Sequence, residues 1–383
     1  MIASSLAASP SPKKTICLNM IVKNEKEVIE RCLQSVLPII DSWVIVDTGS
    51  TDGTQQIIKS FMKNIPGELH EKPWVNFGYN REEALQLAKS KADYILFMDA
   101  DDILAFAKDF QMPALTEGFY IIPTHSNGME CLLPRLIATN LDWHWEGVLH
   151  ERITIKDNTK GCLLNGLEYV YVSDGARTKD SERYLKDIKI LLKGIKDEPN
   201  NSAYVFYLAK TYQFAGDPEN SIKYYEKRAE MGGFPEEVFC SKLEIARIRD
   251  RQNMESKLVE ASYLNAYEYR PSRIEPLYYI VNKARLRGEF QKGYDITELA
   301  ITIIPTDSLF VEKWIYDYGL LFEYAVCAYE LQKYPESLDA CQKLLALPQL
   351  PEIDKKTIQN LYEETYKQNS LRIQQEIVSI TQI

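Results

Sequence analysis

Residues Tyr94–Asp102 read YILFMDADD. An apolar run of strand-forming residues here delivers three carboxylates, Asp99, Asp101 and Asp102, at its C-terminal end. Residues two apart in a strand point to the same side, so the pattern predicts that Asp99 and Asp101 converge while Ala100 faces away. Two hard oxygen ligands at a strand end suit Mg²⁺ or Mn²⁺, which commonly bridge a few carboxylates to substrate phosphates. A solvated acidic turn can carry the same triplet. The residues leading up to it, from Thr15 onward, decide its meaning.

Those residues alternate strand and helix. TICLNMIV, beginning at Thr15, is a nearly continuous apolar run, as expected of a parallel strand buried on both faces. Asn24 with Glu27 has the spacing of a capping box, and the predicted helix behind it aligns Ile29, Cys32, Leu33 and Val36 before Pro38. WVIVD then forms a second buried strand ending in Asp47, followed by the turn TGSTDGT and a helix from Thr54. Asp52 is placed to cap that helix, with Gln55 at its third position. A third helix is predicted from about Arg81 to Ser90, with Ala84, Leu85, Leu87 and Ala88 on its apolar side. Alternation of this kind predicts an α/β domain with a mostly parallel sheet.

Ligands of such sheets bind outside the carboxyl ends of the strands, at a switch in strand order. Val22–Glu25, Asp47–Gly53 and Asp99–Asp102 all lie at such ends and are expected to face one crevice. Gly49–Gly53 is neither a P-loop, since no GK[ST] follows, nor a GxGxxG fingerprint. A nucleotide site in which a metal manages the diphosphate, as for a sugar nucleotide, fits the pattern. The alternative for Asp47 and Asp52 is helix capping and turn formation.

The bulk properties narrow the classes. A net charge of −10 over 383 residues argues against nucleic acid as a partner. Cys17, Cys32, Cys131, Cys162, Cys240, Cys327 and Cys341 are odd in number and without CxxC spacing. They read as reduced core residues of a cytoplasmic protein. No apolar stretch approaches the roughly 18 residues a membrane span needs. Residues 1–14, MIASSLAASPSPKK, lack the basic start and apolar core of a signal peptide and are expected to be a disordered tail.

MIVKNE, VDTGSTDGT, the pair Asn80-Arg81, and MDADD, in this order, resemble the family-2 glycosyltransferases of GT-A fold. The resemblance implies that Val22, Glu25 and Asp47 hold the base and ribose of a nucleotide, with Asp52 beside them and Arg81 near the base. It implies that Asp99, Ala100 and Asp101 form the metal and diphosphate site, Asp101 being the direct ligand. The donor is then a UDP-sugar, UDP-glucose or similar, with Mn²⁺ or Mg²⁺ as cofactor. After Asp102 come GFYIIP, CLLPRLIA and LEYVYV, short strands that suit the mixed second half of such a fold. Between them, LDWHWEGVLHERI contains a Gly-x-x-His-Glu element, Gly147 to Glu151, similar to that of tetratricopeptide-containing family members. Those members often have Phe after Arg-Leu; here Arg135-Leu136 is followed by Ile137.

An inverting transfer needs a carboxylate within hydrogen-bond reach of the acceptor nucleophile. Glu151 is the first candidate base, with Glu146 and Asp102 as alternatives. His150 is expected to complete the metal shell or to donate to the departing diphosphate. Trp143 and Trp145 either stack on a sugar or form an aromatic cluster with their cross-strand neighbours. Ser173–Asp180, SDGARTKD, carries Arg177 and Lys179 and either folds over the diphosphate or is a plain linker.

From Ser181 strand signals vanish. A tetratricopeptide register from Ser202 places Leu208, Ala209, Tyr212, Gly216, Ser221 and Tyr225 at its signature positions, and one from Ile274 so places Ile280, Val281, Ala284, Gly288 and Gly293. A third, from Tyr318, gives Tyr324, Ala325, Ala328 and Ser337, and a degenerate pair fills Glu236–Arg270. Tyrosines such as Tyr204, Tyr212 and Tyr279 either line a groove or pack between helices. The expected organisation is a GT-A domain over 15–180 and an all-α tetratricopeptide-like domain over 181–383. Bacterial peptide glycosyltransferases share this layout, which implies a peptide or protein acceptor, recruited by the repeats, or a homodimer formed through them. A cell-envelope lipid or polysaccharide acceptor is the enzymatic alternative. A repeat scaffold with a degenerate transferase domain is the non-catalytic one.

Overall fold

The structure, a computed structural model, describes residues 13–126, 129–156, 158–307 and 309–381. Most of the expected tail therefore lies outside the described residues. The chain divides into two compact units, Met1–Tyr207 and Leu208–Ile383.

In the first unit, β1 (Ile16–Val22), α1 (Ile29–Val36), β2 (Ser42–Asp47), α2 (Thr54–Phe61), β3 (Gly67–Glu71), α3 (Phe77–Ala88) and β4 (Tyr94–Phe97) alternate as predicted. Seven further strands follow: β5 (Ile103–Phe106), β6 (Phe119–Ser126), β7 (Met129–Ala138), β8 (Trp143–Glu146), β9 (Arg152–Ile155), β10 (Gly161–Leu163) and β11 (Leu167–Val170). The main sheet has the order β3-β2-β1-β4-β7-β6-β11-β5, with β10 on β6, while β8 and β9 form a separate ribbon. β3, β2, β1 and β4 are mutually parallel, and β7 enters antiparallel to β4. The chain winds from β1 outward to β3 and then returns to the other side of β1 as β4. The switch point is therefore between β1 and β4.

Alternation along β1 feeds two cores. Ile16, Leu18, Met20 and Val22 join Ile29, Leu33 and Val36 of α1 and Ile58 of α2 on one face. Cys17 joins Leu85 and Ala88 of α3, Ile95, Phe97 and Trp143 on the other. Buried Asn19 fixes the layers, its amide donating to the carbonyls of Val44 and Ala84 at 3.1 and 3.0 Å. The predicted capping box at Asn24 does not form. Asn24 has φ 58° and accepts the Thr51 N–H at 2.8 Å, stitching two strand-end loops rather than starting α1. α3 begins earlier than predicted because Asn76 caps it, accepting the Tyr79 N–H at 2.8 Å.

α4 (Ala176–Lys179), α5 (Arg183–Asp197) and α6 (Ser202–Phe214) follow. The unit boundary falls within α6, so α5, expected in the repeat domain, counts with the sheet. The second unit continues as α7 (Pro218–Glu230), α8 (Pro235–Arg251), α9 (Ser256–Tyr269), α10 (Glu275–Leu286), α11 (Phe290–Ala300), α12 (Leu320–Glu330), α13 (Tyr334–Leu345) and α14 (Glu352–Thr381), a π-turn at Ile315–Gly319 preceding α12. Consecutive helices pack in sequence, the arrangement of a helical-repeat array. Positions eight and twenty of the predicted register repeat one bond: Ser221 Oγ donates to Ala209 O, and Ser337 Oγ to Ala325 O, each at 2.8 Å. At the equivalent Gly293 a Cβ would lie 2.7 Å from Cys327 Sγ, so close helix approach requires the small residue. Several tyrosines stack on one another, as Tyr212 on Tyr224 and Tyr263 on Tyr279, both at 5.4 Å, which favours interhelical packing over a groove lining. Cys17, Cys32, Cys240, Cys327 and Cys341 are buried, as expected, but Cys162 is exposed. Among the described residues no helix is long and apolar enough to cross a membrane.

Candidate functional site

The predicted acidic residues gather at the carboxyl ends of β1, β2 and β4. Asp47, closing β2, is 1% exposed. Its Oδ1 accepts the N–H groups of Gly49 and Ser50 and the Gln55 amide at 2.8–3.0 Å, while Oδ2 is buried without a hydrogen-bond partner. The turn thus consumes one oxygen and leaves the other. Asp52 is spent on structure: Oδ1 accepts from Thr54 N and Oγ1, and Oδ2 from Lys26 N. Val22 contributes only its carbonyl, which already accepts from Thr48 N and Oγ1.

After β4, Asp99, Asp101 and Asp102 diverge in role, and Ala100 is buried between them at 6% exposure. Asp99 Oδ1 accepts from Arg81 Nη2 at 2.5 Å, and its own N–H donates to Tyr169 Oη at 2.9 Å. Arg135 lies 3.8 Å over the Tyr169 ring. Burial pushes the Asp99 carboxyl up, but Arg81 and Arg135 outweigh it and hold the group below the ordinary carboxylate value. Asp102 is fully buried. Its Oδ1 accepts the Val172 N–H at 3.1 Å and its Oδ2 has no partner, so burial and then Asp99 push it up to about 7.

The segment after β11, expected either to fold over the diphosphate or to be a plain linker, lies against the strand-end carboxylates. Asp101 Oδ2 accepts the Gly175 N–H at 3.0 Å, and Glu25 Oε2 accepts the Ala176 N–H at 3.1 Å. A Cβ on Gly175 would lie 2.8 Å from Glu25 Oε2 and 2.9 Å from Asp101 Oδ2, so the backbone approaches both carboxylates closely. Burial, with Asp101 and Asp52 nearby, pushes Glu25 up to about 7. Asp174 forms a two-point ion pair with Arg31, which also donates to the Asp101 carbonyl. Arg177 donates to Asp187 at 2.8 Å and lies 4.5 Å over the Phe77 ring. Residues 174–176 are thus a strap across the strand ends rather than an exposed linker.

The Gly147–Glu151 element reaches the same region. A Cβ on Gly78 would meet Gly147 O at 1.9 Å, and Phe77 N–H donates to Val148 O, so the loop lies directly on the start of α3. One turn along that helix Arg81 meets Glu151, Nε donating to Oε1 at 2.6 Å. Glu146 is 57% exposed and pairs with Arg152 instead. The structure does not gather His150 with Asp99 and Asp101 as a three-ligand group, and no group of three or more potential metal ligands occurs among the described residues. The His150 ring stacks on Tyr207 at 4.1 Å. Trp143 is 2% exposed in the core, while Trp145 packs on Phe97 and against the Arg81 guanidinium.

Residues 17–111 match the family model for glycosyl transferase family 2. The chain carries a family 2 glycosyltransferase domain. The matched segment runs from β1 past the Asp99–Asp102 cluster. The SPbeta prophage-derived glycosyltransferase SunS of Bacillus subtilis is 24% identical over 230 residues, covering 57% of this chain and 54% of the relative. The chain therefore spans about half the length of that relative. An uncharacterized glycosyltransferase of Rickettsia bellii is 37% identical over 92 residues, 24% of this chain and 29% of the relative. A TPR repeat-containing protein of Synechococcus elongatus is 36% identical over 89 residues, 23% of this chain and 21% of the relative. Among solved structures, Staphylococcus aureus TarS 1–349 in complex with UDP-GlcNAc shares 14% identity at a TM-score of 0.37, covering 66% of this chain and 89% of that one.

Proposed function

We propose that the chain is a GT-A-type, inverting glycosyltransferase that moves a hexose from a UDP-sugar to a peptide or protein acceptor in the cytoplasm. The observation that carries this reading is the convergence at the β1/β4 switch point. Family membership implies a nucleotide-sugar donor. On this reading Glu25 and Asp47, whose Oδ2 is unpaired, serve the nucleoside, and Asp101 the diphosphate side.

The excess negative charge fits a divalent cation. Asp102 Oδ2 is orphaned and Glu25 is pushed up to about 7, so a cation near Asp101 relieves both. Mn²⁺ or Mg²⁺, held by Asp101 and substrate phosphates, would neutralise charge on the leaving diphosphate. Asp99 Oδ1 is committed to Arg81 and Asp101 Oδ2 to the Gly175 N–H, so each carboxylate has one oxygen left to offer the cation.

Of the candidate bases, Asp102 is fully buried and Glu146 is on an exposed ribbon, which favours Glu151. As the acceptor nucleophile bonds to the anomeric carbon, the bond to the diphosphate oxygen breaks, UDP departs, and Glu151 takes the acceptor proton. The strap must yield for this to happen, because its amides occupy Glu25 and Asp101. The helical unit is the part of the chain suited to hold an extended polypeptide or a second copy.

Donor hydrolysis tests this reading without knowledge of the acceptor. Purified protein with Mn²⁺ is expected to release nucleotide from one member of a panel of UDP- and GDP-sugars. Glu151→Gln is expected to keep UDP affinity and lose about 10²-fold or more in rate, the usual scale of general-base catalysis. A Glu151→Gln rate near that of the wild type removes Glu151 from the mechanism.

A further inference from the structure

Arg81 stands between the two groups that the chemistry needs. It projects from α3, and its side chain is 13% exposed. Its Nε donates to Glu151 Oε1 at 2.6 Å and its Nη2 to Asp99 Oδ1 at 2.5 Å. The guanidinium carbon lies 5.2 Å from the centroid of Trp145, whose ring packs edge-on to Phe97 at 5.0 Å. The backbone N–H of Trp145 in turn donates to Glu82 Oε2, one residue along the helix from Arg81, at 2.8 Å.

Arginine recognises planar ligands through its two-donor edges. Here the Nε/Nη2 edge is divided between two carboxylates that come from residues 70 and 18 positions away along the chain. That edge therefore cannot grip a nucleotide base. What it does instead is bring together the strand-end acid and the loop acid, two groups that repel each other without a shared cation.

We infer that Arg81 is a positioning residue, clamping Glu151 to Asp99 so that the base is fixed relative to the strand-end site. With Oε1 bound to Arg81, proton acceptance falls to Oε2 of Glu151. The clamp also removes an Asp99 oxygen from the cation's reach. This inference rests on the glycosyltransferase reading above.

The test separates kcat from affinity in the full chain with Mn²⁺, using donor hydrolysis for rates and calorimetry with UDP for binding. Arg81→Gln is expected to lower kcat by about 100-fold while KM and the UDP Kd stay within about threefold, the signature of a group acting on the transition state alone. Arg81→Lys, which restores a cation but not the fork, is expected to recover about tenfold of that loss. Arg81→Gln in a Glu151→Gln background is expected to cost almost nothing more, because the first change acts through the second residue. Melting temperatures without ligand supply a second cycle, in which the double variant loses less than the sum of the two single losses.

A UDP Kd raised by about tenfold or more in Arg81→Gln overturns the inference in favour of nucleotide contact. So does multiplication of the two rate losses, or simple addition of the two melting losses. A wild type that neither binds UDP nor releases it from any donor sinks the transferase reading itself, and the positioning role falls with it. The two failures are distinct, since one is seen in the variants and the other in the wild type.

Discussion

Arg273 in the helical unit and Asp102 in the sheet unit are both fully buried, yet their surroundings differ. Arg273 donates to both oxygens of Glu275, to Asp307 and to the carbonyls of Leu309 and Phe310. Asp102 has one partner for one oxygen and none for the other. The contrast extends beyond this pair. Among the described residues, ten buried side-chain atoms lack a partner: nine lie in the first unit, and Arg247 Nε alone lies in the second. Buried polar groups without partners cost stability and persist where function requires them. The helical unit spends its charges on holding shape, while the sheet unit keeps some of its own unspent at the strand ends.

Breaking the satisfied network is expected to have the largest effect on stability. Arg273→Ala leaves Glu275 buried without its cation, while Asp307 keeps Arg270, and is expected to cost about 3–5 kcal/mol in urea unfolding. UDP affinity is expected to be unchanged while the protein is folded. A loss of less than about 1 kcal/mol, the scale of an exposed pair, contradicts a structural role for this network.

The unsatisfied site is expected to respond with the opposite sign. The Asp102 carboxyl sits at about 7 in the folded chain, against roughly 3.9 when unfolded. The folded state holds this proton more tightly, so Asp102 costs nothing below the unfolded value. Stability is lost progressively as pH rises from about 4 to 7, and the loss is complete above that. Asp102→Asn keeps the acceptor for Val172 and removes the titration. In chelator it is expected to be more stable than wild type by about 2–4 kcal/mol at pH 8, with the difference vanishing near pH 4. Equal stabilities at pH 8 break the comparison between the units.

The smallest effect belongs to a repeat contact. Ser221→Ala removes the bond to Ala209 O and is expected to cost about 1 kcal/mol, with Ser337→Ala matching it if the register is a true repeat.

What the sequence disclosed follows from which forces are local. The apolar strand runs TICLNMIV and YILFMD, helix faces, and small residues at repeat positions eight and twenty are set by neighbours along the chain, and all appear in the structure. Asn24 was misread because a side chain that caps a helix and one that stitches loops look alike in sequence, and only its left-handed φ separates them. The strap at Gly175–Ala176 acts through backbone amides, which carry no residue code beyond the glycine. The Arg81–Glu151 clamp joins positions 70 apart, so neither residue announces the other. Burial of Asp102 beside Asp99 and Asp101 was equally unreadable, since DADD does not say which carboxylate turns inward.

Metal-dependent protection by UDP tests the central claim most directly: the acids at the β1/β4 switch point bind a nucleoside diphosphate. With Mn²⁺ and UDP at about 100 times its Kd, the wild type is expected to gain about 2.7 kcal/mol, seen as a rise in melting temperature. In Asp101→Asn that gain is expected to disappear while the melting temperature without ligand stays close to the wild-type value. Protection that persists in Asp101→Asn, or a wild type that gains nothing from UDP and Mn²⁺ together, contradicts the account.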